Sequence, residues 1–176
     1  MQSLVEYLNR AERRGELRYL LIGGRSLEGH GYVRSTKDVD FLIATGDIPV
    51  MDRLLTKIGY TKVVETSIFS RWQHSSLGAE DVDLMFVNSA TFEKLAEGSV
   101  PFALGSAEIK IPSVSSLVAL KLHAIKNNGD RFAKDALDII TLMRLNPDAL
   151  SGDGLKTLCD RFGTPDIWSK LQLLLS

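Results

Sequence analysis

An α+β fold is predicted by three observations in this chain of 176 residues. Short apolar and β-branched runs recur between residues 18 and 111, with glycine and polar turns between them. Beyond Pro112 the pattern changes to apolar residues three and four apart, the period of helices that bury one face. The length suits one domain, or one domain with a small helical appendage, built on an ordinary apolar core. Strands first and helices last therefore divide the chain into a core over residues 1–112 and a C-terminal helical section over residues 113–176, packed on that core.

Taken in order, Leu4, Tyr7, Leu8 and Ala11 predict an amphipathic helix over residues 2–14, ended by Gly15. Arg18 to Ile22 is a short apolar strand that stops at Gly23-Gly24. A helical or turn-rich stretch runs to about His30, and a second strand spans Asp38 to Ala44. Residues 48–58 form a helix, with Pro49 in its first turn and Gly59 at its end. Three further strands cover Thr61–Thr66, Ile68–Gln73 and Val82–Val87. After an Asn88-Ser89 turn comes a helix over Phe92–Glu97, then a hairpin of Val100–Leu104 and Ala107–Ile111 around Gly105-Ser106. In the last third, Val114, Leu117, Val118, Leu120 and Ala124 mark one helix, with Ser113 as its N-cap. Phe132, Ala136, Ile139, Ile140 and Met143 mark the next, after a break at Asn127-Asn128-Gly129. Further helices flank Pro165.

Composition excludes several classes. Formal net charge is −1, so the chain lacks the overall basic footprint of an extended nucleic-acid binder, although a local basic cleft is compatible with it. A single cysteine, Cys159, rules out an internal disulfide framework and a cysteine-built zinc site; it is expected in the core. Charges interrupt the first 18 residues, and no stretch is long and apolar enough to span a bilayer, which leaves no membrane role and a cytoplasmic location as the expectation.

The chemistry concentrates in Thr36-Lys37-Asp38-Val39-Asp40-Phe41. Side chains two apart in a strand share a face, so Asp38 and Asp40 point the same way and repel each other. A site that keeps both ionised usually holds a divalent cation, and hard oxygen ligands suit magnesium or manganese better than zinc. Gly23-Gly24, between a strand and a helix, lets backbone approach a bulky anion and presents free N–H groups to phosphate; alone it is only a tight turn. A third carboxylate is offered by Asp83, inside the apolar run Val82–Val87 where an unpaired charge is costly. Asp81, two residues earlier on the same face, is its alternative. Trp72 is a core aromatic by default, or a base-stacking surface if it lies near the site.

Together these residues resemble the nucleotidyltransferase superfamily, the polymerase-β-like fold, whose signature is a strand, Gly-Gly or Gly-Ser, a spacer, Asp-hydrophobic-Asp and a later Asp. Here it reads Leu21-Ile22-Gly23-Gly24, then Asp38-Val39-Asp40, then Asp83. Between them, His30-Gly31, Arg34 and Thr36 resemble the bacterial minimal and AbiEii-type toxin branch, as do Lys121 within Leu120–Ala124 and the run from Arg131 through Lys134, Asp135 and Asp138. The similarity covers roughly residues 18–140; Ser26 stands where many relatives have Ala.

The resemblance implies a mixed β-sheet with flanking helices, and a metal-dependent enzyme of EC 2.7.7 type. It would move a nucleoside monophosphate from an NTP to an acceptor hydroxyl on tRNA, a protein or a small molecule. It implies that Asp38 and Asp40 bind two Mg2+ ions, or Mn2+, with Asp83 completing the site as metal ligand and candidate base. Gly23, Gly24 and the Ser26 hydroxyl would bind the β/γ-phosphates, Arg34 or Lys121 would neutralise them, and Lys134 is a second candidate cation. The branch also implies a toxin role, with an antitoxin as partner. Read from residues alone, Arg34 is equally a solvated loop charge, His30 a structural histidine, Lys121 a lysine on the polar side of its helix, and Asp135 and Asp138 surface acids or partners of Lys134 and Arg131. The alternative to catalysis is a nucleotide- or partner-binding module on the same fold.

Overall fold

Local periodicity translates directly into elements in the computed structural model of the chain, which describes residues 2–76 and 78–175. Two compact units are present: one comprises the residues up to Gly29 together with Val33–Pro112, the other His30–Tyr32 together with the residues from Ser113 onward.

The first unit opens with helix α1 (Gln2–Arg13), ended by Gly15 at φ +71, a left-handed conformation that glycine adopts without a Cβ clash. Strand β1 (Tyr19–Ile22) leads into the short helix α2 (Gly23–Glu28), and β2 (Asp38–Ala44) follows. Helix α3 (Ile48–Lys57) has Pro49 in its first turn, where its missing N–H costs nothing. Strands β3 (Tyr60–Glu65), β4 (Phe69–His74) and β5 (Asp81–Val87) come next. Helix α4 (Ser89–Glu97) begins three residues earlier than its apolar spacing predicts, because the Asn88 side chain accepts from the Thr91 backbone N–H at 2.8 Å and acts as a cap rather than a turn residue. The hairpin β6 (Val100–Leu104) and β7 (Ala107–Ile111) completes this unit, with β7 against β1.

Five strands form one mixed sheet in the order β1-β2-β5-β4-β3. Only the β2–β5 pair is parallel; β1–β2, β4–β5 and β3–β4 are antiparallel. That topology gathers particular ends at one edge. The N-terminal ends of β2 and β5 lie side by side, and antiparallel β1 delivers its C-terminal end to the same place, with Ile22 opposite Asp40. Beneath, Leu21, Val39, Phe41, Ile43, Val82, Leu84 and Phe86 belong to the buried core, with Tyr19 edge-on to Phe41 at 5.4 Å between ring centroids. Trp72 joins this core and donates to the Ser70 hydroxyl at 3.0 Å, so it is a packing residue and is not presented for base stacking.

In the second unit, α5 (Val114–Asn127), α6 (Phe132–Leu145), α7 (Gly152–Phe162) and α8 (Pro165–Leu175) pack together. Ser113 and Ser151 cap α5 and α7 by accepting from the backbone N–H three residues on. Cys159 is buried on α7, and burial pushes its thiol up to about 11, which makes it inert at neutral pH. Lys121 corrects the expectation of a polar-face lysine: it is buried, its ammonium 2.6 Å from Asp138 Oδ2 and 3.2 Å from Asp135 Oδ1. Asp135 and Asp138 are buried as well, rather than surface acids, and Arg131 donates to Asp135 Oδ2 at 2.7 Å. The burial of one group explains that of the others, since each charge is tolerable inside only because its partners accompany it. Among the described residues no helix is long and apolar enough to cross a membrane.

Candidate active site at the diglycine turn

Parallel pairing of β2 with β5 sets Asp40 opposite Asp83 and Asp38 opposite Asp81. Since alternate residues of a strand share a face, these side chains all project to one side of the sheet edge. Asp38, Asp40 and Asp83 each offer a carboxylate oxygen, and the three oxygens lie within 4.8 Å of one another. Asp83 is buried, whereas Asp38 and Asp40 are half-exposed. Asp81 stands outside this group: its Oδ2 accepts from Gln73 Nε2 at 3.0 Å. Thr36 donates to Asp38 Oδ1 at 2.7 Å, fixing that carboxylate.

Gly23 follows β1 at the point where Ile22 faces Asp40. Its φ is +65, and a Cβ built on it would lie 2.0 Å from Asp40 Oδ2. Two independent constraints thus demand glycine there, one conformational and one steric. Gly24 is close-packed as well; a Cβ would sit 3.0 Å from Thr36 Cβ and 3.2 Å from Arg34 Nη1, which brings Arg34 to the diglycine turn. Helix α2 starts here, and its N-cap residue Ile22 has no side chain that could cap it. Ser26 is fully buried and its hydroxyl donates to the Gly23 carbonyl at 2.9 Å. The hydroxyl expected to meet a phosphate is therefore turned inward, where it fastens the turn. Lys121 and Lys134 belong to the second unit, Lys121 within its buried ion network and Lys134 exposed on α6.

Sequence reasoning missed Arg71. Antiparallel pairing of β4 with β5 sets it opposite Asp83, and its guanidinium grips that carboxylate with both arms of its fork: Nε to Oδ1 at 2.7 Å and Nη2 to Oδ2 at 2.6 Å. The same Nη2 is 3.8 Å from Asp38 Oδ2. The hydrogen bonds to Asp83 hold Arg71 protonated more firmly than usual; burial opposes them, and the fields of Asp83, Asp38 and Asp81 each add a lesser contribution in the same direction as the hydrogen bonds. Strand parity was the available signal: Ser70 and Trp72 read as the inward set, which puts Arg71 and Gln73 on the other face. Arg25 was also missed; it pairs with Glu80, just before β5, and lies 4.0 Å from Glu28, tying α2 to the start of that strand.

The donor set suits a hard divalent cation, with three carboxylates in reach of one point and neither thiol nor imidazole among them.

No protein-family model and no curated protein matches the chain. Solved structures do. The antibiotic-resistance factor ANT(2'')-Ia superposes with a TM-score of 0.67 at 15% identity, covering 98% of this chain and 95% of that one. An antigenic nucleotidyltransferase-like protein from Paracoccidioides brasiliensis gives 0.56 at 18% identity over 97% and 91%. The lincosamide antibiotic adenylyltransferase LnuA gives 0.53 at 16% identity over 82% and 98%. At such identities the likeness carries architecture and not substrate. The mixed sheet with its flanking and C-terminal helices is thus the polymerase-β-like nucleotidyltransferase fold.

Proposed function

We propose that the protein is a metal-dependent nucleotidyltransferase that moves a nucleoside monophosphate from an NTP to an acceptor hydroxyl and releases pyrophosphate. The observation that carries this is the convergence of Asp38, Asp40 and Asp83 oxygens within 4.8 Å beside the left-handed Gly23. These three carboxylates would hold Mg2+, or Mn2+. Such ions, when bound, neutralise phosphate charge and acidify a nearby hydroxyl. The backbone N–H groups of Gly23 and Gly24 and the guanidinium of Arg34 orient the β/γ-phosphates, while Ser26 acts only by bracing the turn. Lys134 is the remaining candidate cation; Lys121 we assign to the internal balance of the helical unit.

In the transfer, the acceptor oxygen bonds to the α-phosphorus, the bond from that phosphorus to the bridging oxygen breaks, and pyrophosphate departs while the acceptor hydroxyl gives its proton to solvent water. Both Asp83 oxygens are engaged by Arg71, so Asp83 is a poor base while that grip persists. Within this proposal residues 1–112 form the catalytic core and residues 113–176 a C-terminal helical section.

Two neighbours are described as an antibiotic-resistance factor and a lincosamide adenylyltransferase, which favours a hydroxylated small molecule as the acceptor to test first. A tRNA end or a protein side chain, and an AbiEii-type toxin role relieved by an antitoxin, are further acceptor and role assignments within the same chemistry. Incubation with each labelled NTP, Mg2+ and separate small-molecule, RNA and protein pools is expected to label one pool. Asp40→Asn is expected to lower that transfer by roughly 10²-fold or more, since even outer-sphere partners of such ions are worth ~10–100-fold. Absence of label in every pool, or transfer indifferent to Asp40→Asn, sinks the proposal.

A further inference from the structure

Arg71 occupies the place in the acidic cluster that a bound cation would claim. Its fork covers both oxygens of Asp83, and Nη2 reaches toward Asp38 at 3.8 Å. The Asp83 side chain is only 9% exposed, so water cannot offset its charge, and removing its partner would leave it buried and uncompensated. The Arg71 side chain is 40% exposed, which leaves the guanidinium an open side toward which it can swing. A divalent ion shared by Asp38, Asp40 and Asp83 needs Asp83 oxygen that Arg71 now holds, and it sets a double positive charge beside a guanidinium. The two cations compete for one site. A guanidinium fork fits phosphate oxygens as well as carboxylate oxygens.

We propose that Arg71 is the resident counter-cation of the Asp38–Asp40–Asp83 cluster, and that it exchanges its grip on Asp83 for the nucleotide's phosphates when the divalent ion binds. Arg71 is thereby a positioning residue that makes metal capture depend on nucleotide capture. This rests on the nucleotidyltransferase reading of the cluster.

The test is Mn2+ binding to the whole protein, read by loss of the free-ion paramagnetic resonance signal, in wild type, Arg71→Met, Asp40→Asn and the double variant. Removing the competitor is expected to tighten binding of Mn2+ alone about tenfold, the fold-change equivalent to one charge-assisted hydrogen bond. NTP binding in saturating Mn2+, measured by calorimetry, is expected to weaken about tenfold in the same variant by the same equivalence. Arg71→Lys, which keeps the charge and loses the fork, should fall between. Without metal, Arg71→Met is expected to melt below wild type and to be recovered by Mn2+; a variant that folds only with Mn2+ supports the exchange equally. A merely structural arginine predicts the opposite sign, weaker Mn2+ binding on its loss. Mn2+ affinity unchanged or reduced in Arg71→Met, or NTP affinity unchanged, overturns the proposal while loss of Mn2+ in Asp40→Asn leaves the metal assignment standing. Mn2+ binding indifferent to Asp40→Asn removes the metal assignment itself, and the exchange falls with it.

Discussion

Gly23 concentrates the residue-scale constraints of this site. A side chain there meets two penalties, the left-handed φ of +65 and an overlap with Asp40 Oδ2 at 2.0 Å. Gly23→Ala is therefore expected to lower unfolding free energy by about 1–3 kcal/mol, the usual cost of a non-glycine residue in a sparsely populated conformation. The displaced Asp40 carboxylate should also reduce Mn2+ affinity. Denaturant unfolding and metal titration check the two consequences separately. Loss of Mn2+ affinity without loss of stability would mean that the turn relaxes around the new methyl. The same scale explains why Ser26 differs from its expected role, since a hydroxyl at the third residue past Gly23 in a helical turn finds a carbonyl before it finds a ligand.

Among elements, the α5–α6 pair shows how charge can be carried into a core. Lys121 on α5 meets Asp135 and Asp138, three residues apart on one face of α6, and Arg131 one turn earlier completes the balance. Arg131 and Asp135 form the pairing that the sequence allowed, whereas the burial of Lys121 depends on which faces of the two helices meet. Lys121→Met removes the buried ammonium that Asp135 and Asp138 share, with Arg131 still paired to Asp135, and is expected to destabilise by about 3–5 kcal/mol. Adding Asp135→Asn and Asp138→Asn should restore a large part of that loss. Thermal melts of the single and triple variants test this. Equal stability of Lys121→Met and wild type would contradict it. In the sheet, the corresponding element-scale fact is the parallel β2–β5 pairing, which aligns Asp40 with Asp83 over two strands separated by α3, β3 and β4.

For the molecule as a whole, near-neutrality limits what it can hold. A formal charge of −1 on 176 residues offers few counterions to release from a polyanion. Generic duplex DNA or RNA at about 150 mM salt is expected to bind no tighter than the ~10⁻⁴ M end of non-specific affinities. Fluorescence anisotropy with a labelled duplex measures this. Micromolar binding would reveal a basic surface that outweighs the total charge. At the diglycine edge the local charge is set by Arg34, Arg71 and the three aspartates.

What the sequence determined by itself is local. Apolar spacing, glycine breaks and caps located the elements, and the interval between Asp38 and Asp40 put both on one strand face, because these patterns depend on neighbours along the chain. The Asn88 cap shows the limit of that legibility at a boundary. Asp83, favoured over Asp81 by its apolar surroundings in sequence, lies beside the pair in the structure, but only tertiary structure decided why Gly23 is sterically required, which cation entered the cluster and why Lys121 is inside. Each of those depends on strand register or helix facing between segments distant in sequence, and a one-residue slip in register would have turned Arg71 into the core and Trp72 toward the site.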